Sequence, residues 1–141
     1  MKYLIILFSS HFILSCCSQH SLPKSKTTDG YTTTASGLKY KILLPGTGPA
    51  AEPGKEVLIF ETTTYLDGTV LYSNENSKTP VKVLIGGNQA TTAVDEGLRG
   101  MQVGEVRQLI ATPDLVKRKF YPPNVSLDSS LAIKIILHKI L

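Results

Sequence analysis

The chain has 141 residues, which suggests one domain, and with 42% hydrophobic and 18% charged residues it is too apolar for a disordered protein. Its net charge of +4 comes from basic residues that are spread along the sequence, which argues against the clustered basic face of a nucleic-acid-binding protein. Two Cys residues cannot supply a disulfide framework or a four-Cys zinc site, and Trp is absent. We therefore expect a core of Val, Ile and Leu.

The first segment is typical of an export signal. Lys2 precedes a mostly apolar run over residues 3–14, shorter than the roughly 20 residues that a spanning helix needs. Ser15 then precedes Cys16, and this arrangement resembles the lipobox of bacterial lipoprotein signals. We expect residues 1–15 to be a signal peptide and Cys16 to be lipidated, with Cys17 as the alternative. An ordinary signal peptide with a chance Cys pair is the competing interpretation.

The lipobox resemblance implies a lipid-anchored protein of the bacterial cell envelope. Several acyl chains anchor a protein stably, whereas a single chain binds membranes only marginally. No Asp follows Cys16, which by resemblance to Gram-negative sorting favours the outer membrane, facing the periplasm. Residues 16–35 are rich in Ser, Thr, Lys and Gly and nearly free of aliphatic side chains, so we expect a flexible tether there.

Residues 36–141 have the pattern of one compact, mostly β domain. Strands are predicted over 38–44, 57–65, 69–72, 81–85, 106–111 and the alternating segment 131–137. Gly- and Pro-rich pairs predict turns at 45–49, at 53–54 and at Asp67-Gly68. His138 is expected on the outer face of the last strand.

One helix is predicted, from Thr92 to Arg99. Thr92 and Asp95 have the spacing of a capping box, and Gly100 stands where a C-terminal glycine belongs. Val94 and Leu98 fall on one side of this helix, which we expect to pack against the sheet.

Residues 95–105, Asp-Glu-Gly-Leu-Arg-Gly-Met-Gln-Val-Gly-Glu, resemble the signature of FKBP-type peptidyl-prolyl isomerases. Further motifs follow in the family's order at 46–48, 53–55, 66–68, 84–86, 112–115 and 122–127. The resemblance covers nearly the whole predicted domain. It implies an α+β fold, an FKBP-like antiparallel β-sheet wrapped around one short α-helix.

The same resemblance implies the chemistry. In this family a dry, aromatic pocket accelerates rotation about X-Pro bonds, and one backbone N–H holds a substrate carbonyl. No cofactor, metal, nucleophile or general base is needed. The implied partners are proline-containing peptides or unfolded envelope proteins, and we expect a monomer.

Mapped onto the family's pocket, this sequence departs at most positions. The family's Trp floor corresponds to Val94, and the carbonyl-binding N–H corresponds to that of Thr91. Only Tyr72 and Tyr121 are aromatic residues expected near the pocket. The substrate-pocket candidates are Glu61, Leu71, Tyr72, Val81, Ala90, Thr91, Val94, Lys117 and Tyr121.

Two functions of different class follow. The first is a lipid-anchored prolyl isomerase with weak or altered activity that assists protein folding. The second is an FKBP-fold module without catalysis that binds a protein or peptide as a chaperone or scaffold. An unrelated small β lipoprotein with chance motifs is a third interpretation. In each case Lys117-Arg118-Lys119 is predicted to be a solvated loop rather than an anion site.

Overall fold

The computed structural model describes residues 26–119, 123, 125–126 and 128–141, so Cys16, Cys17 and Tyr121 lie outside the described residues. The described chain forms ten strands, one α-helix and one 3₁₀-helix. In chain order these are β1 (Lys26–Thr28), β2 (Tyr31–Thr33), β3 (Lys39–Leu44), β4 (Thr47–Ala50), β5 (Glu56–Tyr65), β6 (Val70–Ser73), β7 (Val81–Leu84), α1 (Thr92–Leu98), β8 (Gln102–Val103), β9 (Val106–Ala111), the 3₁₀-helix (Pro113–Val116) and β10 (Leu131–Ile140).

One antiparallel sheet organises the domain. Its strands lie in the order β1-β2-β3-β9-β10-β5-β6, and β7 pairs with the same edge of β5 that β6 uses. β4 and β8 form a separate two-stranded ribbon. The helix α1 packs against β9 and β10 and against the 3₁₀-helix. The predicted α+β class, an antiparallel sheet with one short helix, is confirmed.

Strand β10 shows why the sequence pattern identifies the core. Leu131, Ile133, Ile135 and Leu137 are each at most 4% exposed, because alternate side chains of a strand point to the same face. β10 is paired along both edges, with β5 and with β9, and its inner face packs against the helix. His138 is exposed, as predicted, and its ring lies 5.6 Å from that of Phe60.

The N-cap of the helix lies one residue earlier than predicted. Thr91, not Thr92, is the N-cap, and its hydroxyl accepts a hydrogen bond from the N–H of Val94. Two adjacent Thr residues made the cap ambiguous in sequence, and the extended backbone of Thr91 decides it. Gly100 has a φ of +77°, so the predicted glycine at the helix end is confirmed.

The helix lies unusually close to the sheet at Gly97. A Cβ atom there would lie 2.5 Å from a methyl group of Leu109, which is fully buried in β9. Val94, Leu98 and Met101 fill the same interface and are at most 2% exposed. This glycine therefore sets the distance between α1 and the sheet.

Residues 26–33 differ from the tether expected there. They form the hairpin β1–β2, and β2 pairs with the start of β3. Asp29 and Gly30 both have positive φ, 57° and 76°, which is the geometry of a tight hairpin turn. The β-branched Thr residues suit strands although the segment is polar, so composition alone misled the prediction.

The predicted turn at 45–49 is also partly extended. Residues 47–50 form β4, whose partner β8 has two residues. Gly46 is required beside it, because a Cβ there would lie 2.6 Å from the carbonyl oxygen of Gln102. Gly48 supplies the bend within β4, with a φ of +84°.

A buried ion pair joins the end of the helix to the sheet. Glu105 and Arg107 are 3% and 6% exposed, and a guanidinium nitrogen lies 2.6 Å from the Glu105 carboxylate. Arg107 also donates to the carbonyl oxygens of Gly97 at 3.0 Å and Arg99 at 3.2 Å. These carbonyls belong to the last turn of α1, where no intrahelical donor remains. The guanidinium carbon stacks 4.8 Å from the ring centre of Tyr40.

We expect Arg107→Met to lower the free energy of unfolding by about 3–5 kcal/mol, because it leaves the Glu105 carboxylate buried without its partner. Urea denaturation followed by circular dichroism measures the change. The matched control is Lys82→Met, which removes the exposed ion pair to Glu56 and should cost at most about 1 kcal/mol. Equal losses in the two variants would show that Arg107 does not hold the helix. Adding Glu105→Leu to Arg107→Met should restore part of the loss.

Candidate functional site

A cleft of about 610 Å³ opens between the β6 and β7 end of the sheet and the start of α1. Its lining residues come from β5, β6, β7, the loop before α1 and the segment after the 3₁₀-helix. They are Glu61, Tyr72, Val81, Val83, Asn88, Gln89, Ala90, Thr91, Val94, Lys117, Arg118 and Lys119. The cleft has the volume of a typical ligand pocket.

The cleft exists because one edge of β5 is shared by two strands. β7 pairs with residues 56–59 of β5 and β6 pairs with residues 62–64, so neither strand pairs with Glu61. Asn74 closes this gap: its Oδ1 accepts from the Glu61 N–H at 2.6 Å, and its N–H donates to the Glu61 carbonyl oxygen at 3.0 Å. Asn74 thus replaces a strand partner and fixes the wall that carries Glu61.

Asn74 was not among the residues selected from the sequence. An Asn directly after a strand is a common turn signal, but the position it bonds, thirteen residues earlier, is set by the sheet. Asn74 is 9% exposed, and its Nδ2 atom has no hydrogen-bond partner among the described residues.

The floor of the cleft is the first turn of α1. Val94 is 2% exposed and presents its side chain beneath the opening. Within the described chain, no acceptor takes the N–H of Thr91, while the Thr91 carbonyl and hydroxyl bond the helix. Among the described residues, this N–H thus lies beside an apolar floor with no acceptor of its own.

The loop that carries Ala90 and Thr91 is fixed to the helix and to β7. The Gly86 N–H donates to Oδ1 of Asp95 at 2.6 Å, and Arg99 holds the other oxygen of Asp95 at 2.7 Å. The side chain of Gln89 turns back and accepts from the N–H of Leu84 at 2.8 Å. These bonds hold the backbone of the loop that carries Ala90 and Thr91.

One wall of the cleft carries Glu61, Tyr72 and Val81. The Glu61 carboxylate accepts from the hydroxyl of Thr63 at 2.7 Å. Tyr72 is 46% exposed and is the one aromatic residue among the described residues of the lining.

A second wall of the cleft is cationic. Lys117, Arg118 and Lys119 are all exposed and all line the cleft. Lys117 pairs with Asp114 at 2.6 Å. This hydrogen bond, together with the positive charge of Lys117, lowers the pKa of the Asp114 carboxyl below its usual value.

Seven of the nine pocket candidates lie together in this cleft. They are Glu61, Tyr72, Val81, Ala90, Thr91, Val94 and Lys117. Leu71 lies behind the wall instead, in a cavity of about 40 Å³ that it shares with Tyr72, Arg118 and Leu131. Neighbouring side chains of a strand point to opposite faces, so Leu71 packs toward the core. Tyr121 lies outside the described residues.

Over residues 26–119 and the described positions beyond them, no three His, Cys, Asp or Glu residues are arranged to hold a metal ion. In the same part of the chain, no helix is long and apolar enough to cross a membrane.

Comparison with known proteins identifies the family. Residues 48–137 match the model of the FKBP-type peptidyl-prolyl cis-trans isomerase domain. The chloroplastic peptidyl-prolyl cis-trans isomerase FKBP19 of Arabidopsis thaliana is 34% identical over 107 residues. The outer membrane protein MIP of Legionella longbeachae is 34% identical over 96 residues. Each alignment covers 67% of this chain and 40% of the relative, so the chain spans well under half the length of these proteins.

The fold agrees with this match. The crystal structure of FkpA from Escherichia coli superimposes with a TM-score of 0.70 at 23% identity, over 80% of this chain and 52% of that one. This chain belongs to the FKBP-type peptidyl-prolyl cis-trans isomerase family.

We expect Thr91→Ala to lower the free energy of unfolding by ~1 kcal/mol, because the first turn of α1 loses its capping hydroxyl. The matched control is Thr92→Ala, which removes an exposed hydroxyl inside the helix and should change stability by at most ~0.5 kcal/mol. Urea denaturation midpoints of the two variants measure the difference. A larger loss for Thr92→Ala would place the cap one residue later.

Proposed function

We propose that this protein is a lipid-anchored prolyl isomerase of the bacterial cell envelope, with weak or altered activity, that assists the folding of other proteins there. Its substrates are proline-containing segments of unfolded envelope proteins. The observation that carries the proposal is the Thr91 N–H, without an acceptor in the described chain, beside the buried Val94 floor. Membership of the isomerase family supports the same reaction.

The reaction needs no reactive side chain. An X-Pro bond isomerises over a barrier of about 18–20 kcal/mol, because rotation breaks the resonance that keeps the peptide planar. The planar amide is the more polar state, so a dry pocket destabilises it relative to the twisted amide. In this cleft, Val94 and Ala90 exclude water from the proline ring while the Thr91 N–H orients the preceding or following carbonyl.

The composition of the walls supports weak activity. In the family, aromatic side chains enclose the proline, whereas Tyr72 is the one aromatic residue in the described lining. Glu61 and Lys117 instead place charged, strongly hydrated side chains in the lining. A wetter pocket discriminates less between the planar and twisted amide.

The alternative function is a binding module without catalysis. The same polar walls favour it, because a cleft that does not exclude water still binds an extended peptide. An FKBP fold of this kind would serve as a chaperone or scaffold.

A protease-coupled assay on an Ala-Pro peptide separates the two functions. We expect the chain from residue 16, with Cys16 and Cys17 replaced by Ser, to accelerate isomerisation measurably. Tyr72→Ala should lower kcat/KM by about tenfold, since it removes the aromatic wall. Leu66→Ala is the control, because Leu66 is 60% exposed and lies outside the cleft lining. A rate equal to the uncatalysed one would favour the binding module.

The envelope location rests on the N-terminal sequence and on a relative. The apolar run before Ser15-Cys16 supports export and lipidation. A 34% identical relative is named an outer membrane protein, which agrees with the outer membrane expected when no Asp follows Cys16.

We expect Cys16→Ala to abolish incorporation of a radiolabelled or clickable fatty acid when the full chain is expressed in a Gram-negative host. Cys17→Ala is the matched control and should retain the label, because cleavage then still occurs after Ser15. If labelling persists in Cys16→Ala and is lost in Cys17→Ala, the modified residue is Cys17. Labelling that survives in both variants would contradict a lipid anchor at this pair.

A further inference from the structure

The cationic wall of the cleft is a feature that the family's reaction does not use. Lys117, Arg118 and Lys119 follow the 3₁₀-helix directly, and all three line the opening. The sequence predicted a solvated loop at this run, and its three side chains are exposed, but they also line the same cleft as Tyr72 and Val81.

The charges of the cleft do not balance. Among the described lining residues, Glu61 is the one carboxylate that faces three cations. Glu61 is held at its own wall by the Thr63 hydroxyl at 2.7 Å. Asp114 lies next to the run and pairs with Lys117 at 2.6 Å, and counting it still leaves an excess of positive charge. A concave surface with one dominant sign attracts ligands of the opposite sign.

The floor and the rim would recognise different parts of one ligand. Val94, Val83 and Ala90 are apolar and suit a proline ring, and the Thr91 N–H suits a peptide carbonyl. A cleft of about 610 Å³ holds only a few residues, so a side chain that reaches the cations must be close to the proline.

We propose that the cleft selects peptides that carry Asp or Glu within two residues of the proline, with Arg118 and Lys119 as the residues that set this preference. The inference rests on the proposed function, since it assumes that proline occupies the floor. The attraction acts between exposed charges, so it is modest and is screened by salt. We expect a preference of about two- to fivefold at low ionic strength.

The test uses the chain from residue 16 with both Cys residues replaced by Ser. Peptides of the form Ala-Xaa-Pro-Phe, with Glu, Gln or Lys at Xaa, are assayed for kcat/KM at ~0.01 M and ~0.15 M salt. We expect the order Glu, Gln, Lys at low salt, with the differences shrinking at high salt.

The paired variants assign the effect to the cleft. Arg118→Gln with Lys119→Gln should remove the preference for Glu. The matched control is Lys39→Gln with Lys41→Gln, which removes two exposed cations from β3, outside the lining, and should keep it. Equal kcat/KM for Glu and Gln in the parent chain overturns the inference, and so does a preference that survives in the Arg118 and Lys119 variant.

A binding measurement separates this inference from the catalytic proposal. If no peptide is isomerised, the proposed activity fails, and fluorescence anisotropy with the same labelled peptides then tests the selectivity directly. Tighter binding of the Glu peptide, lost in the Arg118 and Lys119 variant, supports the inference without catalysis. Equal affinity for the three peptides, or no binding to any of them, overturns it.

Discussion

The buried pair of Glu105 and Arg107 is the interaction on which the rest of the structure depends. A seven-residue helix is too short to be stable alone, so α1 must be held by tertiary contacts. Arg107 supplies donors to the carbonyls at the helix end, and Glu105 neutralises the charge that this requires. Gly97 lets the helix approach the sheet closely enough for these bonds to form. This attachment therefore also fixes the position of the first turn of α1, which forms the floor of the cleft.

The cleft is formed by the first turn of α1 and by the interruption between β6 and β7 along one edge of β5. The helix presents Val94 and the Thr91 N–H, while the break between β6 and β7 leaves Glu61 without a strand partner on that edge of β5. Asn74 stabilises that break with two hydrogen bonds. Because the backbone builds this geometry, the side chains around it can differ widely from those of other family members without loss of the fold. The wall residues are therefore where functional differences within this fold are expected.

The sequence was sufficient to predict the features of the fold that depend on local residue patterns. The alternation in β10, the glycine after α1 and most strand positions follow from side-chain periodicity and turn chemistry. The features that it missed are contacts between residues that are far apart along the chain. Arg107 shares the buried face of β9 with Leu109, and alternation indicates this, but a buried cation is credible only once its partners are known. The bond from Asn74 to Glu61 and the placement of Arg118 beside Tyr72 likewise required the fold. The β1–β2 hairpin was missed because its Asp29-Gly30 turn was outweighed by polar composition.

The hairpin also fixes where the described chain begins relative to the cleft. It makes β1 one end of the sheet, whereas the cleft opens beyond β5, five strands away. At roughly 4.8 Å per strand, the two lie about 24 Å apart along the sheet. If the chain is anchored through Cys16 as proposed above, the attachment enters the domain at β1, and the cleft lies beyond β5, away from that strand. Orientation, as much as distance, would keep the cleft accessible to an unfolded chain.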